Sequence, residues 1–294
     1  FKHFTYILIG IIVLIFFSSL SRENLFKISF YLFFISLFFL FLVPVLGVEV
    51  KGSKRWLNFF FVPRFQPIEI VKPFIIIFIS TILCSEKNFN IYFKYLLTFI
   101  AIIPACLLLM MQPDIGQTLL IFLAWAILVF ISGISLPVIL TFFSFSLLSL
   151  VYMVFFIQKF AYIKNRILSF FNPNDGTHNF QSDKAIDAIS SGGYFGKGIG
   201  EGTLKNRVPE AHTDYIISVI AEEFGVVVIM LLLILFLFFI YTVFQKIYLE
   251  KSEKIKLVLT GTMCLIIFQA LIHIGVNIRL FPTTGMTLPF LSYG

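Results

Sequence analysis

Long apolar stretches, broken at intervals by short polar ones, organise this sequence from end to end. Eight stand out, at roughly 4–20, 28–49, 68–84, 95–111, 117–133, 137–158, 224–245 and 257–278. Each is about 17–25 residues, the length that carries an α-helix across a bilayer's hydrocarbon. Lipid offers backbone amides no hydrogen bonds, so a chain of this pattern must satisfy them within its own helices. The pattern therefore predicts an all-α polytopic integral membrane protein, a helix bundle with one long polar connection at 159–213.

Counting crossings sorts the connections onto two faces. One face receives 21–27, 85–94, the turn near Gly133 and 246–256, all short and simply charged. The opposite face receives 50–67, 112–116, 159–213 and 279–294, where every unusual residue pattern lies. Lys and Arg are frequent on both faces, so the positive-inside rule splits when the long connection is counted. Net charge is more positive on the short-loop face, because acids accumulate opposite, and on that ground we expect this face in the cytoplasm.

Composition agrees with this pattern and narrows the partners. Hydrophobic residues make up 59% of the 294 positions and charged residues 13%, with a mean hydropathy of +1.00. Soluble domains carry about a quarter charged residues. The net charge of +7 sits on loops and helix ends, which argues against nucleic acid and for anionic lipid or a phosphate-bearing substrate. Cys84, Cys106 and Cys264 stand alone within apolar runs and read as small core residues. The sequence begins at Phe1 and stops in a Ser-Tyr-Gly loop, which leads us to expect a piece clipped at both ends.

Three short motifs place ionisable groups at helix starts. Arg55-Trp56 suits a membrane boundary, where Trp joins the interfacial belt and Arg faces head groups. Glu69 and Lys72 lie three apart at the start of a spanning segment, so they share a face and can pair. Ionisable groups there are costly and usually point into the bundle, as a structural ion pair or as part of a site. Asp114, with Gln117 three residues on, has the spacing of a capping box, and an acid at that position also suits the helix dipole.

The connection 159–213 and its continuation to Gly225 hold the densest chemistry. Gly192-Gly193-Tyr194-Phe195-Gly196-Lys197-Gly198-Ile199-Gly200 alternates glycine with other residues. That lets backbone N–H groups and the Lys197 ammonium approach a phosphate, although a flexible linker would read the same way. No strand precedes it, so it is neither a Walker loop nor a dinucleotide fingerprint. Lys205 and Arg207 place cations within reach of Asp214, with Glu210 and His212 between. Asp214 could equally be a first-turn acid with Thr213 as the helix cap.

Taken together, four blocks in order resemble the SEDS family (shape, elongation, division and sporulation). They are Lys51-Gly-Ser-Lys-Arg-Trp56 with Gln66-Pro67-Ile-Glu69-Ile-Val-Lys72; Gln112-Pro-Asp114-Ile-Gly116; Gly192 to Gly225 around Pro209-Glu-Ala-His-Thr-Asp214; and Pro282-Thr-Thr-Gly285 through Leu288 to Gly294. The stretch Gly200–Asp214 is closer to division-type than to elongation-type members. The resemblance implies a membrane glycosyltransferase that polymerises lipid II into peptidoglycan, with the Asp214 face outside the cytoplasm of a bacterial inner membrane. Members have ten spanning helices, so eight imply that the first and last lie beyond this sequence.

The resemblance further implies Asp214 as the catalytic base. The cations Arg55, Lys205 and Arg207, with Lys197 as a weaker choice, would face the leaving pyrophosphate. Trp56, Glu69, Lys72, Asp114, Glu210 and His212 would support the cavity, and a divalent cation such as Mg or Mn could assist. Partners implied are lipid II, a class B penicillin-binding transpeptidase and divisome proteins. Thr284 and Arg279 depart from residues common in the family, which puts local phosphate contacts in question. A lipid II flippase and a non-catalytic scaffold are the rival roles.

Overall fold

The computed structural model describes residues 2–50, 53–59, 62–85, 89–171, 180–202 and 211–292. Its helices are α1 (Lys2–Ser19), α2 (Arg22–Leu46), α3 (Pro67–Leu83), α4 (Ile91–Met111), α5 (Ile115–Ile131), α6 (Leu136–Phe156), α7 (Ala161–Phe171), α8 (Phe180–Gly192), α9 (Ile216–Leu249) and α10 (Glu253–Asn277). A helix covers each of the eight apolar stretches. Among the described residues, five helices (α2, α4, α6, α9 and α10) are long and apolar enough to cross a membrane.

Local sequence sets where several of these helices begin. Ser21 accepts a hydrogen bond from the Asn24 amide at the start of α2, and Asn90 accepts one from the Tyr92 amide at α4. Pro67 opens α3 and Pro137 opens α6, positions where a missing N–H costs nothing.

The bundle is built around α3 and α5. Ile68, Val71, Ile75, Ile76 and Ile79 of α3 and Leu120, Ile121, Ala124, Trp125 and Leu128 of α5 are all buried. Trp125 donates its indole N–H to Thr98 of α4 at 3.1 Å, which satisfies the one polar atom of a large core ring. Gly261 lets α10 approach this centre: a Cβ there would lie 2.6 Å from Ile76 Cγ2 and 3.1 Å from Leu128 Cδ2. Outlying helices look the other way. Val154 is the buried residue of α6, and no residue of α9 beyond Gly225 is buried, which is how a helix facing lipid reads.

Three features differ from the sequence expectation. The segment 50–67, expected to be loop, carries an antiparallel sheet of β1 (Val48–Val50), β2 (Ser53–Phe59) and β3 (Val62–Phe65), ordered β1-β2-β3. Its pairing of Val48 with Trp56 and of Leu57 with Phe65 gives a short polar-flanked segment a backbone ladder of its own. The connection 159–213 contains α7 and α8. Finally, α9 begins at Ile216 and breaks at Gly225 (φ 79°, ψ −178°), because a buried helical turn precedes the apolar run that hydropathy detects. Its cap is Tyr215, so Thr213 is not the cap the sequence suggested.

The approach at Gly261 is testable. Gly261→Val overpacks the α3–α5–α10 contact and should cost about 1–3 kcal/mol, seen as a lower thermal midpoint in detergent. An unchanged midpoint would mean that these helices are not in close contact.

Candidate functional site

The N-terminal ends of α3 and α5, the C-terminal end of α10, the sheet and the segment after α10 converge on one polar region. Arg55, on β2, is fastened to the α4–α5 turn. Its Nε donates to the Gln112 carbonyl at 3.2 Å, one terminal nitrogen donates to the Pro113 carbonyl, and the other lies 3.6 Å from Asp114 Oδ2. Asp114 also caps α5, accepting from the Gln117 amide at 3.4 Å. Burial pushes the Asp114 carboxyl up from its usual value, opposed by the Arg55 charge and that N–H. The acid is thus both cap and counter-ion. The capping box is half-formed, because the Gln117 side chain turns away to Glu69.

That turn begins a chain of polar contacts through the bundle. Gln117 Nε2 donates to Glu69 Oε1 at 3.0 Å, and Lys72 Nζ lies 2.6 Å from Glu69 Oε2. The same ammonium donates to Gln269 Oε1 at 3.0 Å, and Gln269 donates to the Thr287 carbonyl at 3.0 Å. Further along α10, His273 Nδ1 donates to the Met286 carbonyl at 2.8 Å. Asn277 donates to the Asp214 carbonyl at 3.1 Å and to that of His273 at 2.9 Å. Gln269, His273 and Asn277 are four apart and so share one helix face.

Asp214 and Arg55 flank the same point. Gly285 adopts φ +71°, and a Cβ there would sit 3.2 Å from an Arg55 terminal nitrogen and 3.6 Å from Asp214 Oδ2. Only glycine occupies this left-handed conformation without cost, and its missing side chain leaves the carboxylate and guanidinium facing a common space. Thr284 and Met286 pack on Gly116, whose Cβ would meet Thr284 Cβ at 2.8 Å and Met286 Sδ at 2.7 Å. Among the described residues, Gln117 Oε1, His273 Nε2, Asn277 Oδ1 and Thr284 Oγ1 are buried with no hydrogen-bond partner. They line the region with unused polar capacity, and such atoms are rare enough in proteins to mark a place of interest.

A second cation joins the site from α7. Arg166 donates to the Thr283 carbonyl at 3.1 Å. Its pKa is lowered by burial and then by the neighbouring Arg55 charge, which places two guanidiniums in one field. Arg279 pairs with Asp183 of α8 at 2.5 Å, and Ser292 donates to the Thr213 carbonyl at 2.8 Å. The segment 279–292 is thereby tied to both sides of Asp214. Tyr215, whose hydroxyl lies 3.3 Å from Ser182 Oγ, is pushed up to about 12 by burial and stays a neutral phenol.

The residues expected from sequence divide clearly. Arg55, Asp114 and Asp214 come together, and Glu69 with Lys72 forms the ion pair that supports them. Lys197 goes elsewhere, lying 3.5 Å from the fully buried Glu222. Trp56 is next to Arg55 on β2, so alternation turns the two side chains to opposite faces. His212 is exposed in the turn before α9. Lys205, Arg207 and Glu210 lie outside the described residues. Arg166, Gln269, His273 and Asn277 were missed. The α10 trio carried a visible signal, polar side chains at i, i+4 and i+8 within a spanning segment.

The whole chain, residues 1–294, matches the model of the cell cycle protein family FtsW/RodA/SpoVE. It belongs to that family. Curated FtsW relatives, each called a probable peptidoglycan glycosyltransferase, include that of Caulobacter vibrioides (strain NA1000 / CB15N), 33% identical over 94% of this chain and 70% of the relative. The Pseudomonas fluorescens (strain SBW25) protein is 34% identical over 86% of this chain and 63% of its own length, so the chain spans about two thirds of the relatives it matches. Among solved structures, a chain from a peptidoglycan synthase complex superposes with TM-score 0.79 at 28% identity, over 97% of this chain and 80% of that one. The rod shape determining protein RodA of Thermus thermophilus gives 0.69 at 27% identity, over 97% and 77%. Family membership and these superpositions make the chain a multi-pass membrane protein with the FtsW/RodA helix bundle.

The buried pair at the site should behave as a unit. Arg55→Gln strands the Asp114 carboxylate and should destabilise by about 3–5 kcal/mol, whereas Arg55→Gln with Asp114→Asn should recover part of that loss in thermal denaturation. Strictly additive losses would show that the two side chains are not coupled.

Proposed function

We propose that this protein polymerises lipid II into glycan strands, with Asp214 as the general base. It is a peptidoglycan glycosyltransferase of the FtsW type, the activity its relatives carry by name at 33% identity. The observation that carries the mechanistic reading is the convergence of Asp214 and Arg55 on the space over Gly285. A carboxylate and a guanidinium on either side of one small space suit a reaction that removes a proton at one end and releases an anion at the other.

The chemistry needs only one carboxylate. Hydrolytic glycosidases use two, because their alkoxide leaving group must be protonated. Here the donor sugar leaves an undecaprenyl pyrophosphate, already a stable anion. The acceptor GlcNAc 4-hydroxyl attacks C1 of the donor MurNAc, the C1–O bond to pyrophosphate breaks, and the hydroxyl proton passes to Asp214. Inversion at C1 gives the β-1,4 link, and Asp214 returns its proton to water. Arg55 and Arg166 face the departing pyrophosphate, where preorganised charge lowers the barrier most in a partly water-excluded cleft. Lys205 and Arg207 are further cations for the same anion.

Among the described residues, no three His, Cys, Asp or Glu side chains are grouped to hold a metal. The Asp214 carboxylate is the residue that would hold Mg or Mn at this site. When bound, the ion would add positive charge at the leaving group. The remaining assignments follow the reading from sequence: a class B penicillin-binding transpeptidase as partner, divisome proteins around it, and the inner membrane at the division septum as its place. A relative in fold comes from a complex that coordinates polymerization and crosslinking, which supports a transpeptidase partner.

Asp214→Asn keeps the shape and removes the base. Glycan-chain formation from lipid II by the protein with its transpeptidase should fall by about 10²–10⁴-fold while the thermal midpoint stays close to that of the parent. Polymerisation by that variant at the normal rate would sink the general-base assignment. Loss of polymerisation with intact, protein-dependent lipid translocation would reveal a separate transport activity.

A further inference from the structure

The break in α9 at Gly225 is filled by another part of the chain. In an unbroken α-helix the amides of Val226 and Val227 would donate to the carbonyls of Glu222 and Glu223. Here Val226 donates to Gly193 O at 3.0 Å and Val227 to Tyr194 O at 3.3 Å, while Glu222 O accepts from Lys197 N at 2.9 Å and Glu223 O from Gly198 N at 3.0 Å. The loop after α8 thus supplies two carbonyls and two amides, one partner for each of these four groups.

Glycine makes this insertion possible. A Cβ on Gly192 would run into the Ala221 carbonyl, one on Gly196 into the Glu223 carbonyl, and one on Gly225 into the Tyr194 carbonyl, all backbone atoms that cannot give way. Gly196 and Gly225 also hold φ of +76° and +79°, where a side chain is strained in any surroundings. Beside the exchanged hydrogen bonds, Lys197 Nζ reaches Glu222 Oε1 at 3.5 Å, and that carboxylate is fully buried. Gly202 lies against the same side chain, since a Cβ there would be 2.9 Å from Glu222 Oε2.

The contacts join residues 25 positions apart, and everything between them is the segment that ends in Asp214 and the first turns of α9. Lys205, Arg207, Glu210 and His212 are in it too. We infer that Lys197 and Glu222, with Gly196 and Gly225, are positioning residues that close the base of this loop and so set where the Asp214 carboxylate stands opposite Arg55. This deepens the glycosyltransferase reading and rests on it for its kinetic consequence. Lys197 then acts through Asp214, not as a ligand of the pyrophosphate. The chemistry favours the pair: a carboxylate with no solvent exposure is stabilised by a nearby cation, and the Lys197 ammonium on the inserted loop lies beside it.

Two measurements on the intact protein test this. The first, hydrogen–deuterium exchange, does not depend on catalysis. The amides of Lys197 and Gly198 should exchange at least about 100-fold slower than unstructured chain, and Lys197→Met should bring them towards unstructured rates. Exchange of these amides at unstructured rates in the parent protein would overturn the clasp whatever the enzyme does. The second is steady-state polymerisation of lipid II in the native complex. Lys197→Met should lower kcat by about 10- to 100-fold with KM for lipid II unchanged, and Lys197→Arg should restore most of kcat. A raised KM with unchanged kcat would make Lys197 a substrate ligand and overturn the positioning role. Slow exchange in a parent protein that does not polymerise would leave the clasp standing and remove the glycosyltransferase reading alone.

Discussion

A guanidinium sunk at the edge of a lipid-facing bundle has to be surrounded by acceptors, and this requirement on Arg55 organises the rest. Its acceptors are the Gln112 and Pro113 carbonyls and the Asp114 carboxylate, all from the one turn between α4 and α5. The sheet is fixed to the helix pair by that need. Asp114, in neutralising Arg55, also fixes the start of α5 through the Gln117 amide. Removing water from two opposite charges makes each dependent on the other, so the hairpin, the turn and the helix start act as one piece. The cation is held in place by groups of the protein itself.

From this anchor the polar contacts run inward through Glu69, Lys72 and Gln269, then along α10 to Asn277 and the Asp214 backbone. In a soluble protein, water could stand in for any of these partners. Within a bundle bathed by hydrocarbon a missing partner is far more costly, so α3, α5 and α10 are locked in register by their polar groups as much as by apolar packing. The segment 283–288 lies over this seam, its carbonyls at Thr283, Met286 and Thr287 taken by Arg166, His273 and Gln269. Asp214 reaches its place opposite Arg55 because both ends of its neighbourhood, α10 and the covering segment, are pinned in this way.

The sequence announced the spanning helices and left the outer face half-read. Hydropathy locates a helix wherever lipid demands one, and it therefore found α2, α4, α6 and α10 with little error. It misses helices that lack a long apolar run, which is why α8 and the first turns of α9 were passed over: the apolar residues of Ile216 to Glu222 are broken by Ser218 and end at Glu222. The sheet escaped for a similar reason, since β1 and β3 are too short for a clear alternation. Asp114, Glu69 and Lys72 could be found from their spacing at helix starts. The meeting of Arg55 with Asp214 followed from the family resemblance and not from spacing, because the space they share lies over a glycine at 285, 71 residues beyond the acid and on the far side of two helices. Arg166 was hidden for want of a motif, in a helix whose position only tertiary structure supplies.

The helices at the centre are also the short ones. At 17 residues each, α3 and α5 rise about 25 Å, against a hydrocarbon layer of about 30 Å. Helices of that length are at the short limit of what spans a bilayer, whereas the 25-residue α2 and α10 exceed it. The polar floor of the site is therefore built on the ends of the two short helices, between longer neighbours. On the proposed function, a lipid-borne head group would approach that floor from the side, still attached to its chain. On that reading the bilayer, as much as charge, would select the substrate: a water-soluble sugar phosphate has no tail to hold it at the site, while a lipid-linked one is delivered there by the membrane itself.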